Sequence, residues 1–279
     1  MQGYLKTVVV FLLIFVFACN TKDDGAKLRL EAARNYYVQK QYSLAKQEID
    51  SLNTLYPKAI EERRASILLL DSVRRSENIQ IIQECDSLIL IFSPEVDKMK
   101  KSFSYQRNKE YQETGAYVPK ESVTSGITGT TLRSGVGEDG ILYLESVFLG
   151  KQKHKQIKVF TKDGSYAESK EVTSDGLNYR FSNLGKDYEV IRFGGNDENG
   201  LARFVFVNAD KPLTVTLEGQ GKYSYNLSQT IKTAISKSFQ LSTMMLQLDS
   251  LKEAKDKAEF RIYNLDKKKE GETEDVAIN

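Results

Sequence analysis

The sequence predicts an α+β protein in which helices from the two ends of the chain form a stalk and an antiparallel β-sandwich is inserted between them. Apolar residues recur at helical spacing from Ala26 to about Tyr111. They alternate with a period of two from about Thr130 to Glu218, and helical spacing returns from Tyr225 to Lys269. The order of these patterns places the sheet region inside the chain and the helical regions at either end.

The segment before the helical region has the three zones of a secretory signal. Lys6 supplies a positive start, an apolar run ends at Phe17, and small Ala18 precedes Cys19. The run is shorter than the roughly 20 apolar residues that cross a bilayer core. Residues 1–18 therefore predict a signal peptide, and a transmembrane anchor with an incidental cysteine is the less favoured alternative.

Val16-Phe17-Ala18-Cys19 resembles the bacterial lipobox, although Phe17 is bulkier than the usual residue there. The resemblance implies cleavage before Cys19 and attachment of a diacylglycerol and an N-acyl chain, typically palmitate, to that cysteine. Several chains are needed because a single one binds a membrane only marginally, at about 0.8 kcal/mol per buried methylene. The expected partner of the N-terminus is therefore a membrane.

A short charged tether, residues 19–25, follows the predicted cleavage site. Lys22-Asp23-Asp24 resembles the export signal of Bacteroidetes surface lipoproteins, which implies an outer-membrane position and display on the cell surface. The alternative is a solvated tether on a protein that faces the periplasm. Position 20 is asparagine and not aspartate, so the common inner-membrane retention signal is absent from the sequence.

The helical region, residues 26–118, begins with a segment that resembles one tetratricopeptide repeat. Ala33, Tyr36, Ala45, Ile49 and Pro57 lie at the spacings of that family. Small alanines allow two helices to approach, and proline ends the second one. Only one unit is visible, whereas a stable solenoid needs about three repeats. The segment therefore predicts a helical hairpin and not a repeat array.

Helical spacing continues downstream of Pro57, and Ser93-Pro94-Glu95 predicts that a new helix begins or the old one kinks there. Cys85 is the only thiol left once Cys19 is lipidated, so no intramolecular disulfide forms, and its helical register predicts a core position. Gly115 and Pro119 end the region. The apolar positions of this stretch are Ile60, Ile67, Leu70, Ile81, Cys85, Leu88, Phe92, Val96, Met99 and Phe103.

The sandwich is expected within residues 119–222. Asp139-Gly140, Asp163-Gly164 and Asp175-Gly176 mark tight turns, because glycine supplies the positive φ angles that hairpins require. Short strands at this spacing favour an antiparallel sandwich. The predicted strands are Thr130–Val136, Ile141–Leu149, Gln156–Thr161, Leu177–Phe181, Tyr188–Phe193, Leu201–Val207 and Leu213–Glu218.

A long closing helix, residues 223–268, has the seam of a coiled coil, interrupted only by Lys255. So narrow a seam must pack on another helix, either Ile60–Phe103 of the same chain or a second molecule. The tail, residues 269–279, is expected to be disordered. The seam consists of Leu241, Met244, Leu248, Leu251, Ala258, Ile262 and Leu265.

The sequence predicts no catalytic residue, no metal site and no cofactor. The single histidine, His154, lies in a basic stretch and is expected at a solvated hairpin tip. One histidine and one free thiol form neither a usual zinc site nor a convincing Cys-His pair. The loop Gly194–Gly200 lacks the spacing of a calcium loop. A net charge of +2 argues against nucleic acid as the partner.

An Asp-Ser-aliphatic triplet recurs along the helices and resembles the acceptor of the Bacteroidetes O-glycosylation system. The alternative is that polar pairs beside an aliphatic residue simply suit amphipathic helices. The candidate acceptors are Ser51, Ser72, Ser87 and Ser250.

Taken together, the chain resembles an uncharacterised group of Bacteroidetes outer-membrane or surface lipoproteins, with a Tyr-x-x-x-Gly-x-Tyr junction at Tyr111–Tyr117. That resemblance implies no known activity. The expected function is therefore a non-enzymatic envelope lipoprotein whose β-domain binds a protein or glycan. The alternative is a surface hydrolase that acts on glycans through paired carboxylates, whose geometry the sequence does not reveal.

Overall fold

The computed structural model describes residues 21–110, 112–122, 129–172 and 178–278, and it describes side chains between residues 24 and 270 of those ranges. The chain divides into two compact units. A helical unit combines residues up to Ser87 with those from Lys252 onward, and a sheet unit comprises Leu88–Leu251. The predicted α+β class is confirmed, with helical segments from both ends of the chain flanking the sheet region.

The described residues form five helices and ten strands. The helices are α1 (Thr21–Val38), α2 (Tyr42–Leu55), α3 (Ile60–Lys100), α4 (Leu201–Val207) and α5 (Gln229–Ile278). The strands are β1 (Phe103–Gln106), β2 (Ala116–Pro119), β3 (Thr131–Gly137), β4 (Leu142–Leu149), β5 (His154–Thr161), β6 (Tyr166–Glu168), β7 (Asn178–Asn183), β8 (Lys186–Gly194), β9 (Leu213–Gly219) and β10 (Lys222–Asn226).

Helices α1 and α2 form the hairpin that the small residues predict. Ala33, Ala45 and Ile49 are fully buried in one cluster with Val73 of α3, and Tyr36 packs against them. Because alanine leaves room for close approach, the larger tyrosine ring fills the remaining space between the helices. Helix α2 ends just before Pro57, as expected.

Within the helical unit, the C-terminal part of α5 lies antiparallel to α3. Lys255 Nζ lies 2.6 Å from Asp86 Oδ1, and Arg75 pairs with Asp266 nearer the other end. Lys255 therefore interrupts the apolar seam because it makes an ion pair with the facing helix. One turn further along, Ala258 is fully buried.

The sheet unit contains a six-stranded sheet in the order β1-β2-β3-β4-β8-β7 and a four-stranded sheet in the order β10-β9-β5-β6, both antiparallel. Their inner faces share a core. Leu144 and Phe193 come from the first sheet, and Ile157 and Leu217 come from the second. This is the sandwich-like arrangement that the alternating pattern predicts.

A second cluster joins helices to the six-stranded sheet. Leu241, Met245 and Leu248 of α5 pack with Val96 of α3 and Phe103 of β1. The first part of the α5 seam is thus buried within one molecule. Helix α3 continues through Pro94 without a new start, because the same cluster holds its apolar residues on both sides of the proline.

Two assignments of secondary structure are corrected. The helical pattern does not extend to Tyr111: α3 ends at Lys100, and Phe103 continues the apolar stripe from strand β1. The segment Leu201–Val207 is a helix and not a strand. Glu198 accepts the N–H of Ala202 at 2.9 Å, and this local cap favours a helical turn in an apolar run too short to specify its own period.

The ends of the helical segments also differ from expectation. Helix α1 begins at Thr21, inside the expected tether. Helix α5 begins at Gln229 and not at residue 223, because Lys222–Asn226 pair with β9 as strand β10, and it continues to Ile278 through the tail that was expected to be disordered. The tail is rich in glutamate, which has a high helix propensity and extends an existing helix without a new nucleus. Within the described residues, no helix is both long and apolar enough to span a membrane.

Candidate binding cleft

A cleft with a volume of about 800 Å³ lies at one end of the six-stranded sheet. Two connections border it: the β1–β2 loop from Arg107 to Gly115 and the β3–β4 turn from Gly137 to Ile141. Antiparallel pairing of Ala116 with Gly137 brings these two connections to the same end of the sheet. Sites of this size commonly take small ligands or part of a polymer.

Tyr105 forms one wall of the cleft because glycine faces it. A Cβ at Gly115 would lie 2.4 Å from the Tyr105 ring, so only glycine allows this contact. The Tyr105 hydroxyl donates to Glu138, and its ring packs against Tyr117 with centroids 5.5 Å apart. That hydrogen bond raises the pKa of Tyr105 and lowers the pKa of Glu138. The side chain is about half exposed and fixed in orientation.

Tyr143 and Arg192 form a second wall. The Tyr143 ring lies over Gly135 of the neighbouring strand, where a Cβ would approach within 2.3 Å. The Arg192 guanidinium lies 4.1 Å from the Tyr143 ring centroid and donates to Glu145 at 2.6 Å. Burial raises the pKa of Tyr143. This cation–π contact and ion pair hold one arginine plane at the cleft edge.

The β1–β2 loop supplies polar groups and is ordered by its own hydrogen bonds. Arg107 Nε donates to the carbonyl of Gln112 at 3.1 Å, and Gln112 Oε1 accepts the Asn108 N–H at 2.8 Å. Within the described residues, the two terminal nitrogens of Arg107 have no partner. In the Tyr-x-x-x-Gly-x-Tyr junction noted above, Gly115 ends this loop and Tyr117 lies in β2, while Tyr111 is outside the described residues. The motif therefore marked this part of the chain, although alone it did not indicate a cleft.

His154 is not at a solvated hairpin tip. It lies in strand β5 and is only 4% exposed. Its Nδ1 lies 2.6 Å from Glu189 Oε2, its backbone N–H donates to the same oxygen at 2.9 Å, and Arg180 Nε donates to Glu189 Oε1 at 2.8 Å. The preceding lysines suggested a turn, but an inward-facing glutamate on strand β8 provides a buried partner. This cluster links the two sheets.

Glu189 is ionised in the folded chain. Burial raises its pKa, but the hydrogen bonds from the His154 side chain and backbone and from Arg180 outweigh burial and bring the pKa to about 2. The other ring nitrogen of His154, Nε2, is buried without a partner in the described residues. Because His154 and Glu189 are both buried, the cluster is an internal link between the sheets and not a surface site.

The predicted anchor and export residues lie at the edge of the described chain. Cys19 is outside the described residues. Lys22 and Asp23 belong to helix α1, but their side chains are likewise outside the described part, and Asp24 is exposed.

The four candidate acceptor serines lie on helices and are not brought together. Ser87 and Ser250 are exposed, whereas Ser51 and Ser72 are half-buried. The Ser72 hydroxyl donates to the Leu68 carbonyl at 3.0 Å, as is common for serine within a helix. The aliphatic members Leu52 and Val73 are core residues, which gives two of the triplets a packing explanation.

Metal-ligating side chains are not clustered in the described residues: no group of three or more His, Cys, Asp or Glu is positioned to hold an ion. In the Gly194–Gly200 loop, Glu198 accepts the N–H groups of Gly200 and Ala202 at 3.1 and 2.9 Å. Its carboxylate therefore caps helix α4.

Comparison of the chain with protein-family models, curated proteins and solved structures finds no match in any of the three. The cleft must therefore be interpreted from its own chemistry.

Proposed function

We propose that this chain is a lipid-anchored, non-enzymatic envelope protein whose sheet unit binds a glycan in the cleft between Tyr105 and Arg192. The anchor is Cys19, by the lipobox resemblance, and the expected location is the outer membrane with display at the cell surface. The observation that carries the binding assignment is the cleft itself, with one fixed aromatic wall and one fixed guanidinium.

The lining chemistry favours a glycan over a protein partner. Besides Tyr105 and Tyr143, the cleft is bordered mainly by planar polar side chains, which include Gln106, Asn108 and Gln112. Such groups donate and accept hydrogen bonds to hydroxyls, and an exposed tyrosine face offers apolar contact to a sugar ring. Protein interfaces instead depend on desolvated apolar anchors near their centres.

The carboxylates at the cleft favour binding over hydrolysis. A glycoside hydrolase needs a general acid with a raised pKa. Tyr105 donates to Glu138 and lowers its pKa, and Glu145 accepts from Arg192. Asp139 Oδ1 accepts the Ile141 N–H at 2.9 Å within the turn. These three carboxylates accept hydrogen bonds that hold the walls of the cleft in position. Glu113 remains the cleft carboxylate on which the alternative, a hydrolase, would depend.

An oligosaccharide array followed by calorimetric titration tests the proposal. The detergent-purified full-length chain should bind at least one oligosaccharide saturably. Arg107→Gln should weaken that binding about tenfold, since a hydrogen bond to a charged group contributes about 1.5–3 kcal/mol. Gly115→Ala should also weaken it, because the new methyl displaces Tyr105 from the wall.

The matched control is Arg203→Gln, which removes one exposed positive charge from the same unit outside the cleft. Equal weakening by both arginine variants would mean non-specific charge attraction and would contradict the cleft assignment. Release of new reducing ends from a bound oligosaccharide would favour the hydrolase instead. Absence of any glycan ligand, with cleft-dependent crosslinking to an envelope protein, would favour a protein partner.

A further inference from the structure

The helical unit contains a groove of about 640 Å³ that is separate from the cleft of the sheet unit. Helices α2 and α3 form one side, and the C-terminal part of α5 forms the other. It therefore depends on residues from both ends of the chain. Its lining residues are Lys46, Arg74, Glu77, Asn78, Arg261, Asn264, Leu265 and Lys268.

The groove carries more positive than negative charge, and the pairing is uneven. Lys46 Nζ lies 2.7 Å from Glu77, and Lys268 Nζ lies 3.1 Å from Asp71. Glu77 and Asp71 are thus each paired with a lysine. Arg74 and Arg261 have no carboxylate partner within the described part of the chain. Two guanidinium groups therefore face one groove with their donors available to a ligand.

A buried amide at the groove also lacks a partner. Asn78 is 4% exposed, and its Nδ2 donates to the Arg74 carbonyl at 2.7 Å. That bond fixes the orientation of the amide, so Oδ1 is the acceptor, and it has no donor in the described residues. A buried acceptor without a donor destabilises the folded chain. A ligand hydroxyl that reaches Asn78 would remove that destabilisation.

We propose that this groove binds a small anionic sugar, with the acidic group held between Arg74 and Arg261 and a hydroxyl directed to Asn78. Guanidinium groups bind carboxylate and phosphate in a two-pronged geometry, which matches an acidic sugar or a sugar phosphate. The volume is that of a small-ligand site. Leu265 supplies an apolar contact for the sugar ring. The inference does not rest on the cleft of the sheet unit.

Titration of the detergent-purified full-length chain with glucuronate, glucose 1-phosphate and glucose tests the proposal. At least one of the two anions should bind saturably, and glucose should bind at least tenfold more weakly. Arg74→Gln and Arg261→Gln should each weaken anion binding about tenfold or more, which corresponds to one charge-assisted hydrogen bond. Asn78→Leu should weaken binding of the sugar anion more than binding of inorganic phosphate.

Arg64→Gln is the matched control, because Arg64 is an exposed arginine of the same helix outside the groove. It should leave anion affinity within about twofold. The two groove arginines are exposed, so their glutamine variants should unfold at the wild-type temperature, which circular dichroism checks. Binding of glucose as tight as that of the anions would overturn the proposal. Equal losses in the control and groove variants, or no saturable anion binding, would overturn it as well.

Discussion

Glu189 illustrates how one side chain can connect two sheets. It lies on β8 of the six-stranded sheet, accepts two hydrogen bonds from His154 on β5 of the four-stranded sheet, and binds Arg180 on β7. Replacing it with glutamine leaves one acceptor oxygen where the carboxylate has two, and it removes the negative charge that Arg180 faces. We expect Glu189→Gln to lower the free energy of unfolding by about 1–3 kcal/mol in urea denaturation at pH 7.

The pH dependence of the stability that Glu189 contributes gives a sharper test. The pKa of Glu189 is about 2 in the folded chain, below its usual value of 4.5. Stability from its ionised form is therefore present above about pH 4.5 and is lost as pH falls towards 2. Urea midpoints should fall more steeply across this window in the wild type than in Glu189→Gln.

Glu171→Gln provides the comparison, since Glu171 is exposed and has no ion pair in the described residues. It should retain the wild-type acid dependence. An identical slope for wild type and Glu189→Gln would show that this carboxylate is not the group that titrates.

For individual residues, the neighbouring sequence was a poor guide to solvent exposure. Lys151 to Lys155 surround His154 with positive charge, which predicts a solvated turn. The buried partner Glu189 lies far away in sequence and on the other sheet, and only the packing of the two sheets brings it near. In contrast, Asp139-Gly140 and Asp163-Gly164 were identified correctly, because both glycines have the positive φ that the turns require. Asp175-Gly176 lies outside the described residues.

Among the elements, helix α5 can be tested through its seam. Leu248 is 7% exposed and packs with Val96 and Phe103 of the same molecule. Leu248→Ala should lower the free energy of unfolding by about 2–5 kcal/mol, because it removes buried methyl groups and leaves a cavity. Thermal melts followed by circular dichroism measure the effect.

The neighbouring Leu246 supplies the control because it is nearly half exposed. Leu246→Ala should change the free energy of unfolding by less than about 1 kcal/mol. The melting temperature should also be independent of protein concentration over a hundredfold range, since packing within one molecule has no mass-action contribution. A melting temperature that rises with concentration would indicate that helices pair between molecules.

Element type was predictable where a pattern was long. The seam of α5 and the alternation of β4 were each recognised from sequence, because many residues repeat one period. Short segments were not. Strand β1 has four residues and its pattern resembles the end of the preceding helix. Helix α4 has seven residues, of which all but Arg203 are apolar, and they fit either period. Tertiary contacts determine which secondary structure such short segments adopt.

For the whole molecule, the anchor prediction depends on one residue. Cys19→Ala should abolish incorporation of labelled palmitate, because the thiol that accepts the lipid is removed. The protein should then leave the membrane fraction wherever it is still processed. Fractionation of cells grown with labelled palmitate measures both effects.

Cys85→Ala is the control for that experiment, since Cys85 is buried in the described structure and distant in sequence from the signal. It should keep full labelling. Label that persists in Cys19→Ala would contradict the lipoprotein assignment.

The order of helical and strand periodicities along the chain predicted the fold class. It did not predict the cleft or the cationic groove. Each site joins residues that are distant in sequence: Tyr105 with Arg192 in the first, and Arg74 with Arg261 in the second. The charges that pair with one another, such as Lys268 with Asp71, also determine which arginines are left available. Which arginines remain available therefore depends on distances in the folded chain, and the sequence alone does not give these distances.

The composition of the helical unit has a consequence for synthesis of the protein. Its hairpin is made early, but the part of α5 that completes this unit begins only at Lys252. A growing chain can complete the contiguous sheet unit first, whereas the helical unit must wait until its last residues emerge. A prematurely terminated chain would therefore leave Asp86, Arg75 and the surface of α3 that faces α5 uncovered and open to proteases. Completing the helical unit thus distinguishes finished chains from truncated ones.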